Sequence, residues 1–193
     1  MKRGIVLLTV FALCIVFGGV ASGAEISLNL GHTSSTSHHY HTSSEKFAEL
    51  VKERTNGKVE INIFPASQLG SLPDMTESTM LGTQDLVLTA GPILGNTIPE
   101  FQALYMPYIF RDYDHIGKFE KSEAARILGA KLEDRGAVML GWWENGYRVI
   151  TNSKKPIFKP EDMEGMKLRV GSAQMALDTF KLLKVNPTPI SIS

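Results

Sequence analysis

Between Ile26 and Thr89 the chain repeats one rhythm: a short apolar run, a turn, then an amphipathic stretch that opens on a helix-start signal. Ile26, Leu28 and Leu30 alternate as a half-buried strand does, and so do Val59, Ile61 and Ile63 before Pro65 closes the run. "DLVLT" (85–89) is almost wholly apolar, as suits a strand covered on both faces. Between the runs lie two helix patterns. Thr42-x-x-Glu45 reads as a capping box for a helix whose Phe47, Leu50 and Val51 share a face and which Asn56-Gly57 ends. Ser71-x-x-Asp74, with Pro73 in the first turn, opens the second, and Gly82 ends it. Strands that alternate with helices pair in parallel, so the expected class is α/β.

The rest of the chain extends the pattern with less regularity. A Gly- and Pro-rich stretch over 90–100 predicts a loop, and Glu123 to Gly136 predicts a helix carrying Ala124, Ile127, Leu128 and Leu132. "AVMLGW" and "YRVITN" predict two strands, and "KPEDMEG" a polar turn or short helix. "MKLRV" (166–170) predicts a strand, Gln174–Leu183 a helix and "VNPTPISI" a last extended piece.

Met1-Lys2-Arg3, an apolar run from Gly4 to Val20 and the ending Ser22-Gly23-Ala24 predict a secretory leader over 1–24, cleaved before Glu25. A membrane anchor is the alternative, but the run is short for a span and no stop-transfer charges follow it. The one cysteine, Cys14, lies inside the apolar run and follows Ala12-Leu13, a poor context for lipid attachment. Removing 24 of the 193 residues leaves 169 without cysteine, which excludes disulfides, zinc ribbons and thiol catalysis. Lys2 and Arg3 leave with the leader, so 18 basic residues face 20 acidic ones, and nothing favours nucleic acid.

Phosphate-cradling glycine loops, a Gly-x-Ser-x-Gly elbow and His-Glu-x-x-His are all missing, and no carboxylate pair stands out as acid and base. No catalytic residue and no cofactor is predicted. The densest chemistry is "GHTSSTSHHYH" (31–41), with His32, His38, His39 and His41. Imidazoles bind zinc or copper, yet this stretch has no carboxylate before Glu45 and is otherwise Ser and Thr. A loop lining a polar pocket at strand ends, or a solvated loop, are the other readings; no metal is predicted. Two arginines sit on strand patterns. Arg169 in "MKLRV" either aims a planar fork into a crevice, where it matches a carboxylate, or covers a solvated sheet face. Arg148 in "NGYRVITNS" has the same two readings, and Trp142, Trp143 and Tyr147 beside it read as packing.

"FAELVKERTNGKVEINIFPASQLGSLPDM", "MPYIF", "NGYRVITNSKKPIFKPEDMEGMKLRV" and "NPTPI", in this order and spacing, resemble the extracytoplasmic solute-binding subunit of tripartite ATP-independent periplasmic (TRAP) transporters. The resemblance rests on Gln68-Leu69-Gly70, Pro107-Tyr108, Gly165 to Val170 and Pro187-Thr188-Pro189, and runs from about Glu25 to the last residue. It implies a two-lobed clamshell joined by crossing strands: a first α/β lobe over 25–146, then a crossing strand and an incomplete second lobe over 147–193. It implies a periplasmic receptor, not an enzyme, that passes a small organic acid to membrane subunits. Arg169 would grip the carboxylate and Arg148 support it. Further contacts would come from Thr33 and Ser34 in the first loop, from Ser172, and from Ile192. Relatives often carry histidines in that loop too. Two departures stand out. Gly171 occupies a position where relatives usually have proline, and the chain stops at Ser193 where relatives continue. The expectation is an amino-terminal fragment whose last strand exposes an unpaired edge. A periplasmic sensor would share the pocket, and an α/β enzyme is the remaining, less supported reading.

Overall fold

The alternation around Leu28 and Ile61 becomes a parallel ladder in the computed structural model, which describes residues 24–190. β1 (Ile26–Gly31) pairs in parallel with β2 (Val59–Phe64), Leu28 opposite Ile61 and Leu30 opposite Ile63. β3 (Leu86–Val87) pairs with the other edge of β1, giving the order β2-β1-β3. Burial rises along β1, from exposed Ile26 to buried Leu30, Gly31 and His32, so the covered part of the sheet is its carboxyl end. Gly31 is closely packed there. A Cβ would lie 2.6 Å from Sδ of Met75, which is itself fully buried.

α1 (His39–Arg54) crosses from β1 to β2, and α2 (Leu72–Met80) from β2 to β3. α2 starts as predicted, with a complete Ser71/Asp74 capping box and Pro73 in the first turn. α1 does not. It begins at His39, three residues before the expected box, because Nδ1 of His38 accepts the Tyr40 N–H at 3.2 Å and serves as the cap. Thr42 and Glu45 therefore lie inside the helix, where Glu45 faces His41 instead. Asn56 (φ 52°) and Gly57 (φ 78°) end α1 in the left-handed region, as expected.

The predicted loop over 90–100 holds much of the core instead. α3 (Gly91–Leu94) and a 3₁₀ helix (Pro99–Tyr105) each carry proline in their first turn, where a missing N–H costs nothing. They place Leu94, Ile98 and Phe101 against Leu128 and Leu132 from the following helical region. That region has α4 (Tyr113–Glu120), which the sequence pattern did not predict, α5 (Glu123–Ala130) and a 3₁₀ turn (Glu133–Arg135) closed by Gly136 at φ 79°.

"AVMLGW" and "YRVITN" do not form strands. Residues 137–152 form neither helix nor ladder, and Val138, Leu140 and Val149 are exposed. Apolar alternation alone does not make a strand when no neighbour supplies the hydrogen bonds. After a 3₁₀ turn (Pro160–Met163), β4 (Lys167–Val170), α6 (Gln174–Leu182) and β5 (Asn186–Pro189) form a parallel β-α-β unit. Its core is Val170, Ala173 and Ala176 with Leu168, Leu177, Phe180 and Tyr105. Asn186 and Ile190 donate to Met166 and Val170, so Pro187 and Pro189 fall on the outer edge. The expected open edge of the last strand is thus poor in donors. The leader reading of 1–24 falls, apart from Ala24, outside the described residues, as does Ile192.

Candidate functional site

The 3₁₀ helix Pro99–Tyr105 belongs to both cores. Phe101 is fully buried in the first, and Tyr105, one turn on, packs against Val170, Ala173 and Ala176 in the second. Two side chains reinforce the joint. Oε1 of Gln102 accepts the Met175 N–H at 3.1 Å while its Nε2 donates to the Gly95 carbonyl at 3.0 Å. Nδ2 of Asn96 donates to the Ser172 carbonyl at 3.3 Å.

Two predicted residues, Arg148 and Ser172, lie at this joint, and a third, Arg169, lies on β4. Arg148 lies with its guanidinium carbon 4.9 Å from the centre of the Tyr105 ring, a cation–π contact. Arg169 stands exposed on β4, opposite Thr188 and one residue before Val170. Ser172 is half-buried in the turn from β4 to α6, its carbonyl engaged by Asn96. The first turn of α6 has no side-chain cap on its N-cap residue Ala173, and Gln102 takes up only the Met175 N–H.

Thr33 and Ser34 lie at the end of the other sheet, both half-buried just after β1. Their loop is pinned from β2: the His32 N–H donates to Phe64, Ser67 N–H to the His32 carbonyl, and Ala66 N–H to the Ser34 carbonyl. The turn that does this carries Ala66 at φ 49° and Ser67 at φ 62°, a left-handed pair without glycine. Pinning the loop from one side and strain in the turn opposite go together here.

The histidines contact one another and their neighbours. Nε2 of His32 lies 3.2 Å from Nδ1 of His41, and Nε2 of His41 lies 3.5 Å from Glu45. His38 is the helix cap, and Nε2 of His39 lies 3.4 Å from the Glu144 carbonyl. Among the described residues no group of three or more His, Cys, Asp or Glu is arranged to hold a metal ion. Burial, then the neighbouring His41 and His38, holds the His32 imidazole below the ordinary histidine range, so it stays neutral. Its Nδ1 is buried without a partner, and so is the hydroxyl of Ser67. Beside them Tyr40 packs near Trp143, and burial reinforced by the Glu144 charge pushes its phenol up to about 12.

A shallow concavity of about 610 Å³ is formed by one contiguous loop, Ile150–Ile157, and contains neither arginine. It is a fold of that loop around its own backbone, where Asn152 accepts the N–H groups of Lys154 and Lys155. The residues that the sequence pattern missed are Tyr105, Gln102 and Asn96. Each acts across a long sequence interval, and only Tyr105, adjoining "MPYIF", stood next to a noted motif.

Residues 30–193 match the family model of the DctP family, bacterial extracellular solute-binding protein family 7. The chain is 32% identical over 98% of its length to the 2,3-diketo-L-gulonate-binding periplasmic protein YiaO of Escherichia coli, and covers 58% of that protein. It is 30% identical over 77% of its length to the C4-dicarboxylate-binding periplasmic protein DctP of Rhodobacter capsulatus, covering 44% of it. Its fold matches a TRAP periplasmic solute-binding protein from Polaromonas sp. JS666 bound to D-erythronate, with a TM-score of 0.82 and 36% identity. That match covers 86% of this chain and 55% of the other. The chain spans about half the length of the curated relatives it matches.

Proposed function

The chain belongs to the DctP family of bacterial extracellular solute-binding proteins, and from that premise we propose that it is a periplasmic receptor for a small organic acid, working with the membrane subunits of a TRAP transporter. The supporting observation is Arg148 held over the Tyr105 ring at the joint; a second guanidinium, Arg169, stands exposed on β4 one residue before Val170. Ligands of open α/β sheets bind outside the carboxyl ends of the strands, and a planar guanidinium matches a carboxylate.

In this reading residues 25–146 form the first lobe, and 147–193 carry the crossing segment and the opening of the second. Arg169 takes the carboxylate as a bidentate fork. Arg148, already held by Tyr105, supplies a second cation at small entropic cost. The uncapped first turn of α6 and the Ser172 region add N–H donors next to them, while Thr33 and Ser34 close over the rest of the ligand. Ile192, outside the described residues, is assigned a further ligand contact. The chemistry required is binding and release, with no bond made or broken, so the protein is a receptor and not an enzyme.

Titration calorimetry with a panel of organic acids tests the assignment. Arg169→Ala is expected to weaken the best acid by about 2–5 kcal/mol, roughly 30- to several-thousand-fold, because closure strands a desolvated carboxylate. Arg169→Lys should recover little, since an ammonium does not reproduce the fork. Arg148→Ala should cost less than Arg169→Ala. An Arg169→Ala protein that binds within threefold of the wild type would remove Arg169 from the site.

A further inference from the structure

Two glycines of the chain follow an asparagine, in Asn56-Gly57 and Asn145-Gly146, and the fold treats the two pairs differently. An asparagine before glycine is open to attack by the glycine's backbone nitrogen, because no side chain shields that nitrogen. The nitrogen has to lose its proton and reach Cγ of the asparagine, so the backbone of the pair has to be free to move. Hydrogen bonds decide which pair has that freedom.

Asn56-Gly57 is tied down. Both residues sit in the left-handed region at the end of α1, at φ 52° and φ 78°. The Asn56 N–H donates to the Glu53 carbonyl at 3.1 Å and the Gly57 N–H to the Lys52 carbonyl at 2.8 Å. Lys58 and Val59 then donate to the carbonyl and hydroxyl of Thr55, and Val59 opens β2. Turning the Gly57 nitrogen onto Asn56 would dismantle the end of the helix.

Asn145-Gly146 is loose. From residue 138 to residue 158 no backbone–backbone hydrogen bond forms among the described residues. Both members of the pair are exposed, Gly146 has φ 94°, and a Cβ placed on it would meet nothing within 4 Å. A backbone held by so little opens readily. The Gly146 N–H donates to the Glu144 carboxylate, so a base rests on the proton that has to leave. The Glu144 backbone is placed in turn, its carbonyl 3.4 Å from Nε2 of His39 on α1.

We infer that Asn145 is a site of spontaneous deamidation, through a succinimide formed with Gly146, and that Asn56 is not. The Gly146 nitrogen bonds Cγ of Asn145 and its proton passes to the Glu144 carboxylate. The side-chain amide nitrogen takes that proton and leaves as ammonia. Water then opens the ring at either carbonyl, giving aspartate or isoaspartate, so one water is consumed for each ammonia released and nothing is oxidised. The new carboxylate stands three residues before Arg148, whose guanidinium carbon lies 4.9 Å from the centre of the Tyr105 ring. Age thus marks the chain beside one arginine of the candidate site.

Peptide mass spectrometry reads both conversions from one sample, with isoaspartate told apart by electron-transfer fragmentation. The whole chain is kept folded for several days at about pH 8, where loss of the amide proton is favoured, and a second sample is kept unfolded in urea. In the folded chain Asn145 is expected to convert at least about tenfold faster than Asn56, and in urea the two should differ by less than about threefold. Gly146→Ala should slow Asn145 at least about tenfold in both samples. Glu144→Gln should slow it about two- to tenfold in the folded chain alone. Folded Asn56 converting as fast as folded Asn145 would overturn the inference, and so would an Asn145 that stays intact when folded yet converts in urea. A Glu144→Gln rate equal to that of the wild type would overturn the role given to the carboxylate.

Discussion

The two parallel sheets are built to different standards. β1, β2 and β3 share a ladder of eight pairs, are crossed by two helices, and merge with a core centred on fully buried Phe101. β4 and β5 share four pairs, two of them with proline, and rest on three small buried residues and one helix. The first region is fixed by its own burial. The second depends on what it borrows across the joint: the Tyr105 ring, the Gln102 amide and the Asn96 amide. Thr33 and Ser34 thus stand at the end of the first sheet and Arg169 on the borrowed one. Charge recognition is assigned to the part with fewer internal constraints, where a ligand can supply part of the missing stabilisation.

The most damaging way to break the contrast is to remove what the two regions share. Phe101→Ala is expected to cost about 3–5 kcal/mol and to lower the urea midpoint of the whole chain. It should also loosen α6, seen as faster amide exchange there, because Tyr105 loses its support. If α6 exchange stays unchanged, the second region stands on its own. Gly136→Ala acts on the first region alone. The position combines φ 79° with a Cβ that would sit 2.5 Å from the Met80 carbonyl oxygen, so the backbone must shift. A loss of about 1–3 kcal/mol or more in urea denaturation is expected, and a loss below about 0.5 kcal/mol would show the turn to be permissive.

Gln102→Leu acts on the joint alone. It leaves the Met175 N–H and the Gly95 carbonyl without their side-chain partners, at a cost of about 1–3 kcal/mol. Exchange of the Met175 amide should rise while the β1 amides stay protected. Equal loosening of both would erase the distinction between the regions.

The smallest effect is a pH dependence confined to the first region. The folded-state pKa of His32 is lowered, so between the ordinary value near 6.5 and that lower value the unfolded chain binds a proton that the native one refuses. Stability should therefore be unaffected by this group above about pH 7 and fall as the pH drops below about 6.5. His32→Gln should flatten that part of the melting-temperature profile. An unchanged slope would assign it to another group.

What the sequence made legible was local. The period-two runs of β1 and β2, the Ser71/Asp74 box and the Asn56-Gly57 stop are all decided within a few residues, and all were readable. α1 starts four residues before the expected position because a histidine, a rare cap, does the work expected of Thr42. The stretch 90–100 read as a loop because its prolines and glycines are breaker signals, yet in the first turn of a short helix proline is at no disadvantage. Residues 137–152 carried the right alternation for strands, but a strand needs a partner and alternation does not supply one. In the candidate site, Arg169 and Arg148 were visible as residue types in strand-like runs. The face that Arg148 rests on, 43 positions earlier in the chain, was not, since nothing local links Tyr105 to it.

The 3₁₀ helix with a foot in each core has a mechanical consequence. At roughly 2 Å of rise per residue, Phe101 and Tyr105 are separated by about 8 Å along a short, stiff strut. Close-packed interiors have little slack, so a pull on one end is delivered to the other. A ligand that engages Arg148 where it lies over the Tyr105 ring changes the load on that strut, and the load reaches Phe101 and Trp142, whose rings lie 6.2 Å apart. Occupancy would then be legible as light: with Trp143 replaced by phenylalanine, the emission of Trp142 should shift when the acid binds, although the indole touches no ligand. An emission spectrum that stays fixed at saturation would mean that the strut yields before it transmits.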